Sequence, residues 1–195
     1  MCMYEQLAKF IKEKIIISDE EIDSILPFFK TLSVKKNEFL VSHGEFGQQL
    51  YFVEKGCLRI FFINEEGQES TRFIAFENNF ASALVSFITE ATAVEYVQAL
   101  EDSQLLYIDR NDFFNLLEKY PVWEKFYRYY LEFAYVTNTN RLMSFITMDA
   151  RMRYEKLLKE RPIVVKRLPS KVVASFLNIS QETLSRLKSK KRNLN

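Results

Sequence analysis

Along the first thirty residues the apolar positions recur at helical spacing. Leu7, Phe10 and Ile11 follow one another with Lys14 on a helical period. Ser18-Asp19-Glu20-Glu21 then sets a hydroxyl cap ahead of first-turn acids, the start signal of a second helix. That helix presents Ile22, Ile25 and Leu26 and ends near Pro27. From Leu32 to Ile108 the pattern changes to short β-prone runs at 39–41, 50–53, 57–63, 71–74, 96–99 and 104–108. His43-Gly44-Glu45, Glu54-Lys55-Gly56, Asn64-Glu65-Glu66-Gly67 and Glu77-Asn78-Asn79 separate them as turns. Gly44, Gly56 and Gly67 stand where a tight turn needs positive φ. Strands at this interval predict an antiparallel sandwich or jelly-roll barrel.

After Asp109 the helical period returns. Phe113, Leu116 and Leu117 predict a short helix ending near Pro121, and a long helix follows over about 122–147. Trp123, Phe126, Tyr130, Phe133 and Thr137 lie on it at steps of three and four. Such a heptad-like seam pairs two subunits, and the same stripe would also serve to cover the barrel. Phe126, Tyr127, Tyr129, Tyr130, Phe133 and Tyr135 make the helix aromatic all round, so it buries more than one face. A further helix, 149–160, carries Met152, Leu157 and Leu158 and stops at Pro162, and Ile163-Val164-Val165 reads as a short strand. The fold class is therefore α+β, and 195 residues accommodate two small domains.

Composition sharpens this picture at one end of the chain. Hydrophobic residues make up 48% and charged residues 27%, which excludes a disordered chain. No run approaches the length of a membrane span, and Glu5 and Lys9 interrupt any secretory signal at the N-terminus. Two cysteines, Cys2 and Cys57, are too few for a disulfide framework, so a reducing, cytoplasmic setting is expected. Residues 149–195 carry 13 Lys+Arg against 4 Asp+Glu, while residues 1–148 carry 14 against 22. Positive charge gathered at one end suits a polyanion, and a solubilising tail is the plainer reading.

The basic end also carries the strongest motif. Val172, Val173 and Phe176 give a short helix with one apolar side, for which Ser170 is the expected N-cap. Ala174 is small where a second helix would cross, and Leu177-Asn178-Ile179 is a brief turn in which Asn178 tolerates a left-handed backbone. Ser180 then caps a second helix with Leu184 and Leu187 as its buried pair. Two short helices so joined predict a helix-turn-helix. The second helix exposes Gln181, Glu182, Ser185 and Arg186, types that can bond adenine, cytosine and guanine edges in the major groove. Lys188, Lys190, Lys191 and Arg192 follow, and lysines there meet phosphates.

At this point the chain resembles the Crp/Fnr family of transcription factors. On the barrel side the resemblance rests on Val34–Leu40, His43-Gly44-Glu45 and Leu50–Arg59; on the basic side it rests on Leu177–Arg186. It implies a cyclic-nucleotide-binding-type barrel over 1–120, a dimerisation helix over 121–147 and a DNA-binding helix-turn-helix over 148–195. It also assigns base reading to Gln181, Glu182 and Arg186, with Ser180 and Thr183 on the DNA backbone. Family members that bind cyclic nucleotides carry an acidic residue and an arginine in a pocket cassette. Here those positions fall at Ser82 or Ala83 and at Ala93, within a stretch containing Phe80, Leu84 and Tyr96. No Lys or Arg lies between Arg72 and Arg110, so a cyclic phosphate would meet Glu90 and Glu95 without a cation nearby in sequence. Cyclic AMP is therefore not expected to bind in the family manner. An apolar effector among Phe80, Leu84, Phe87 and Tyr96, or binding to DNA without any effector, both stay open.

Other cofactors find few ligands. Iron–sulfur relatives need about four cysteines, and the one histidine, His43, is most simply a turn residue. Cys57 reads as a structural strand thiol, so neither cofactor nor metal is expected. Three residues follow the basic run, so the β-hairpin wing of many relatives is not expected. The leading expectation is a homodimeric, sequence-specific DNA-binding regulator; were it an activator, RNA polymerase would be a further partner. The alternative is a ligand-binding or protein-interaction module whose basic tail does not read DNA. An enzyme is not expected, since no phosphate-cradling loop or nucleophile–base pair stands out.

Overall fold

The structure, a computed structural model, describes residues 4–192, with side chains through Lys190. The chain divides into two compact units: residues up to Phe61 with Phe73–Phe133, and Phe62–Arg72 with the residues from Ala134 onward.

In the first unit, α1 (Glu5–Lys14) and α2 (Asp19–Ile25) precede a 3-10 turn at Leu26–Phe28. Ser18 caps α2 as the sequence predicts: its hydroxyl accepts from the Glu21 N–H at 3.1 Å, and the Glu21 carboxylate accepts from the Ser18 N–H at 2.9 Å. The strands are β1 (Lys30–Val34), β2 (Phe39–Val41), β3 (Gln49–Lys55), β4 (Leu58–Ile63), β5 (Glu69–Ala75), β6 (Phe80–Ala81), β7 (Tyr96–Ala99) and β8 (Ser103–Asp109). They form two four-stranded sheets, ordered β1-β8-β3-β6 and β2-β7-β4-β5. Helix α3 (Leu84–Thr89) lies between β6 and β7, and α4 (Arg110–Lys119) follows β8. The turn glycines Gly44, Gly56 and Gly67 all have positive φ. Gly56 is doubly constrained, because a Cβ there would stand 2.1 Å from the Ser103 hydroxyl.

Strand alternation builds two cores. Leu50, Phe52, Leu106 and Ile108 face a helical layer made by Leu7, Ile11, Ile22, Ile25, Phe113 and Leu116. Tyr51, Val53 and Leu105 face the other way, into the barrel interior with Val34, Ile60, Val97 and a group of alanines. Two elements lacked a clear signal. β1 buries Val34 alone, and β6 is two residues long.

The long helix α5 (Pro121–Thr147) corrects part of the expected subunit seam. Trp123 and Phe126 are 0% and 1% exposed, stacked on each other at 4.7 Å inside the helical-layer core. Tyr130 packs against the same core. These three therefore cover the sheet, leaving Phe133 and Thr137 as the expected seam positions outside that core. The boundary between the two units falls inside α5, between Phe133 and Ala134, rather than at the ends of that helix.

In the second unit, α6 (Ala150–Glu160) is capped by Asp149, whose carboxylate accepts from the Met152 N–H at 2.8 Å. The expected strand at 163–165 is instead a helix, α7 (Pro162–Arg167). Pro162 sits at its start, where the missing N–H costs nothing, and Val164 is the residue that turns inward. Helices α8 (Ser170–Leu177) and α9 (Gln181–Arg192) are the last elements of the described residues. The tip of the β4–β5 hairpin belongs to this unit. It turns through Asn64–Gly67, with the Asn64 side-chain oxygen accepting from the Gln68 N–H at 2.8 Å.

Candidate nucleic-acid interface

The turn between α8 and α9 is built as the sequence predicts. Asn178 is left-handed (φ 51°, ψ 54°). Its N–H donates to the Ser175 carbonyl at 3.2 Å, and the Ile179 N–H reaches back to the Ala174 carbonyl at 3.1 Å. These are the paired bonds of a Schellman stop, which satisfy carbonyls left over at a helix end. Two residues later the Ser180 hydroxyl accepts from the Thr183 N–H at 3.1 Å and caps α9. Val172, Val173, Ala174, Leu177 and Leu184 are buried between the helices, while Leu187 is half-buried.

Burial on one side leaves the polar set on the other. Gln181, Glu182, Ser185, Arg186 and Lys190 are exposed, and Thr183 and Lys188 are half-buried. Ser170, Gln181, Glu182, Ser185, Arg186 and Lys188 line one groove of about 650 Å³. Six of the ten residues expected to touch DNA are thus brought together. Ser180 and Thr183 sit at the head of the same helix, Lys190 lies further along it, and the Lys191 side chain falls outside the described residues.

Ser170 is placed there by a different bond from the expected one. Pro169 takes the N-cap position of α8, and no side chain caps that end. Ser170 is already helical, so its hydroxyl is free to accept from Lys188 Nζ at 2.8 Å, tying the two helices across the groove. Glu182 is held below the usual carboxylate range by its own N–H at the helix start, the Ser180 hydroxyl and the Arg186 charge. It is therefore an ionised acceptor at neutral pH. Whatever stability this gives is present above its unfolded pKa and is lost only as pH falls through the depressed folded value.

Two arginines that the pattern did not single out hold this frame. Arg153 donates to the carbonyls of Leu177 (3.2 Å) and Met148 (2.7 Å), the ends of α8 and α5. Arg141 donates to Phe176 (2.8 Å) and Thr71 (2.5 Å) and lies over the rings of Phe176 and Phe145. Burial, then the charges of Arg72, Arg161 and Arg153, bring its guanidinium down to about 10, so it stays charged at neutral pH. Cations at helix C-termini complement the dipole, which explains their choice. Sequence gives no such signal, because the carbonyls they reach lie up to 70 positions away.

In the first unit the nucleotide-cassette positions are closed off. Ala83 and Ala93 are buried in the apolar barrel interior, and the Ser82 hydroxyl is spent on the Gln49 carbonyl at 3.1 Å. Ser86 accepts from the Gly47 N–H at 2.8 Å and donates to the Ala91 carbonyl at 2.5 Å. The fold bonds two cations to residues of this stretch and of the following strand. Arg110 is committed to Glu90 (2.9 Å) and the Phe87 carbonyl (2.7 Å), and Arg59 donates twice to Gln98. The four residues expected around an apolar effector are not gathered in one place. Phe80 and Phe87 lie in the helical-layer core with Leu84 half-buried, whereas Tyr96 stacks on Phe61 and His43. Cys57 is a buried free thiol, and His43 sits in a turn with Nδ1 3.2 Å from the Val94 carbonyl.

Comparison with known proteins agrees with this architecture. Residues 31–120 match the family described as cyclic nucleotide-binding domain. A cyclic AMP receptor protein of Thermus thermophilus is 27% identical over 106 residues, which are 54% of this chain and 49% of that protein. The match therefore spans about half the length of that relative. FixK2 from Bradyrhizobium japonicum superposes with a TM-score of 0.72 at 13% identity, covering 85% of each chain. A transcriptional regulator assigned to the Crp/Fnr family from Eubacterium rectale gives 0.68 at 16%, covering 88% of this chain and 82% of that one. At these identities the superpositions speak for the fold. Residues 31–120 thus match the cyclic nucleotide-binding domain family, and the chain shares the fold of these regulators, with a helix-turn-helix following the long helix.

Proposed function

We propose that this protein is a dimeric regulator that reads duplex DNA with α9 and does not respond to cyclic AMP. The observation that carries the reading is the groove of Ser170, Gln181, Glu182, Ser185, Arg186 and Lys188 on a correctly capped helix-turn-helix. In that docking Gln181, Glu182 and Arg186 meet base edges, and Ser170, Ser180, Thr183, Ser185 and the lysines meet the backbone. Dimerisation is supported by the second half of α5. Phe133, Val136, Asn140 and Met143 are all exposed and repeat by three and four. That is a heptad seam with one polar position, the arrangement that fixes register between paired helices. Two-fold pairing places the recognition helices in successive major grooves about 34 Å apart.

The absence of a cyclic AMP response is supported by Ser82 or Ala83 at the acidic cassette position, by Ala93 at the arginine position, and by the committed bonds of Arg110 and Arg59. Among the described residues, Ala93 offers a cyclic phosphate no charged partner at the arginine position. The reading is tested by titrating labelled duplex at several salt concentrations. Affinity falling log-linearly with salt, with a slope of about −0.9 per phosphate contacted, supports it. Salt-independent binding that ignores sequence favours an interaction module instead.

A further inference from the structure

The β4–β5 hairpin tip lies against the helix-turn-helix, and its chemistry opposes the DNA face it touches. Glu69 Oε1 is 2.7 Å from Lys171 Nζ, in the first turn of α8. Thr71 and Ser175 share a buried hydroxyl contact at 2.6 Å. Since Ser175 donates to the Val172 carbonyl at 3.0 Å, Thr71 is the donor in that pair. Arg141 closes the attachment by bridging the Thr71 and Phe176 carbonyls. The tip is therefore fixed at three points along α8.

Its position is the telling part. Gln68 and Glu69 line a cleft of about 410 Å³ with Lys171, Asn178, Ser180 and Gln181. Gln181 also lines the recognition groove, so the hairpin and the base-reading surface meet at that residue. A duplex seated on the first turn of α9 brings phosphates to the N-termini of both helices. Lys171 is exposed there and suited to a phosphate, but its charge is already met by Glu69. Glu65 and Glu66, both exposed, add negative charge at the turn of the hairpin.

We propose that the hairpin tip is an electrostatic strap: Glu69 withholds Lys171, a phosphate-contacting residue, from DNA and sets acidic charge beside the recognition helix. This rests on the DNA-reading function proposed above and adds a control on its affinity. The strap acts on phosphate contacts, so it lowers affinity for all sequences alike and leaves base preference unchanged. Release of the tip restores one phosphate contact per protomer.

The test is a titration of the full chain with random-sequence duplex across a salt series. Glu69→Gln is expected to bind about fivefold tighter near physiological salt and to steepen the log–log salt slope by about 1.8 for the dimer, the signature of one added phosphate contact in each protomer. The gain shrinks and the slope change disappears in a Lys171→Gln background, where only the removal of acidic charge remains. The reversed pair, Glu69→Lys with Lys171→Glu, keeps the contact and binds as wild type. Thermal melts confirm that each variant folds. An unchanged affinity and slope for Glu69→Gln, or a gain that persists undiminished without Lys171, overturns the strap while the DNA reading stands. Failure of wild type and Glu69→Gln alike to bind any duplex at low salt overturns the DNA reading itself.

Discussion

The Arg141 guanidinium donates to the Phe176 carbonyl at 2.8 Å, one residue before the end of α8, through the same nitrogen that reaches Thr71 at 2.5 Å. Both bonds are charge-assisted and largely shielded from water, and bonds of that kind contribute about 1.5–3 kcal/mol each. Arg141→Ala is expected to destabilise the second unit by about 2–4 kcal/mol and to raise amide exchange along α8. Arg141→Lys recovers only part of this, because an ammonium lacks the planar fork. Denaturant unfolding with exchange readout decides it, and an unchanged midpoint for the alanine variant contradicts the role.

Asn178 tests the turn. Its left-handed backbone makes glycine acceptable and a Cβ without a polar group costly. Asn178→Gly is expected to melt close to wild type, whereas Asn178→Ala loses about 1 kcal/mol. Equal melting of the two variants contradicts the Schellman assignment.

On α5 the two halves of the aromatic stripe are expected to behave differently. Trp123→Ala empties a fully buried site and lowers stability by about 3–5 kcal/mol. Met143, exposed on α5, lies on the proposed seam, and Met143→Glu is expected to leave the protomer folded and shift it to monomer. Sedimentation and thermal melts separate these effects. A dimer that survives Met143→Glu, or one lost in a well-folded Trp123→Ala, reverses the assignment of the two halves.

For cyclic AMP, the expectation is no thermal shift at any concentration up to millimolar. A protein that bound it would gain about 2.7 kcal/mol at a hundred times its dissociation constant. A concentration-dependent rise in melting temperature contradicts the closed cassette formed by Ala83, Ala93 and Ser86.

Much of this was legible in the sequence where local chemistry dictates the outcome. The Ser18 capping box, the three turn glycines, the left-handed Asn178 and the Ser180 cap depend on neighbours within a few residues, and each is found in place. Ser170 and Ile163–Val165 misled because a proline beside each one decides the local backbone, as N-cap in one case and as helix start in the other. Trp123 and Phe126 misled because a period of three and four does not say which layer a helix face meets. The attachment of the hairpin through Glu69, Thr71 and Arg141 left no periodic signal at all, since its partners are 35–104 positions apart.

The most direct measurement is selection of bound duplexes from a random pool near physiological salt with no effector added, run on wild type and on Arg186→Ala. A two-fold symmetric motif with half-sites one helical turn apart is expected. Arg186→Ala is expected to lose about 1–3 kcal/mol on that motif and to relax it at one position per half-site, while Lys190→Ala weakens every sequence alike. A folded protein that recovers no motif, or an Arg186→Ala variant whose losses on motif and random duplex are equal, contradicts base reading by α9.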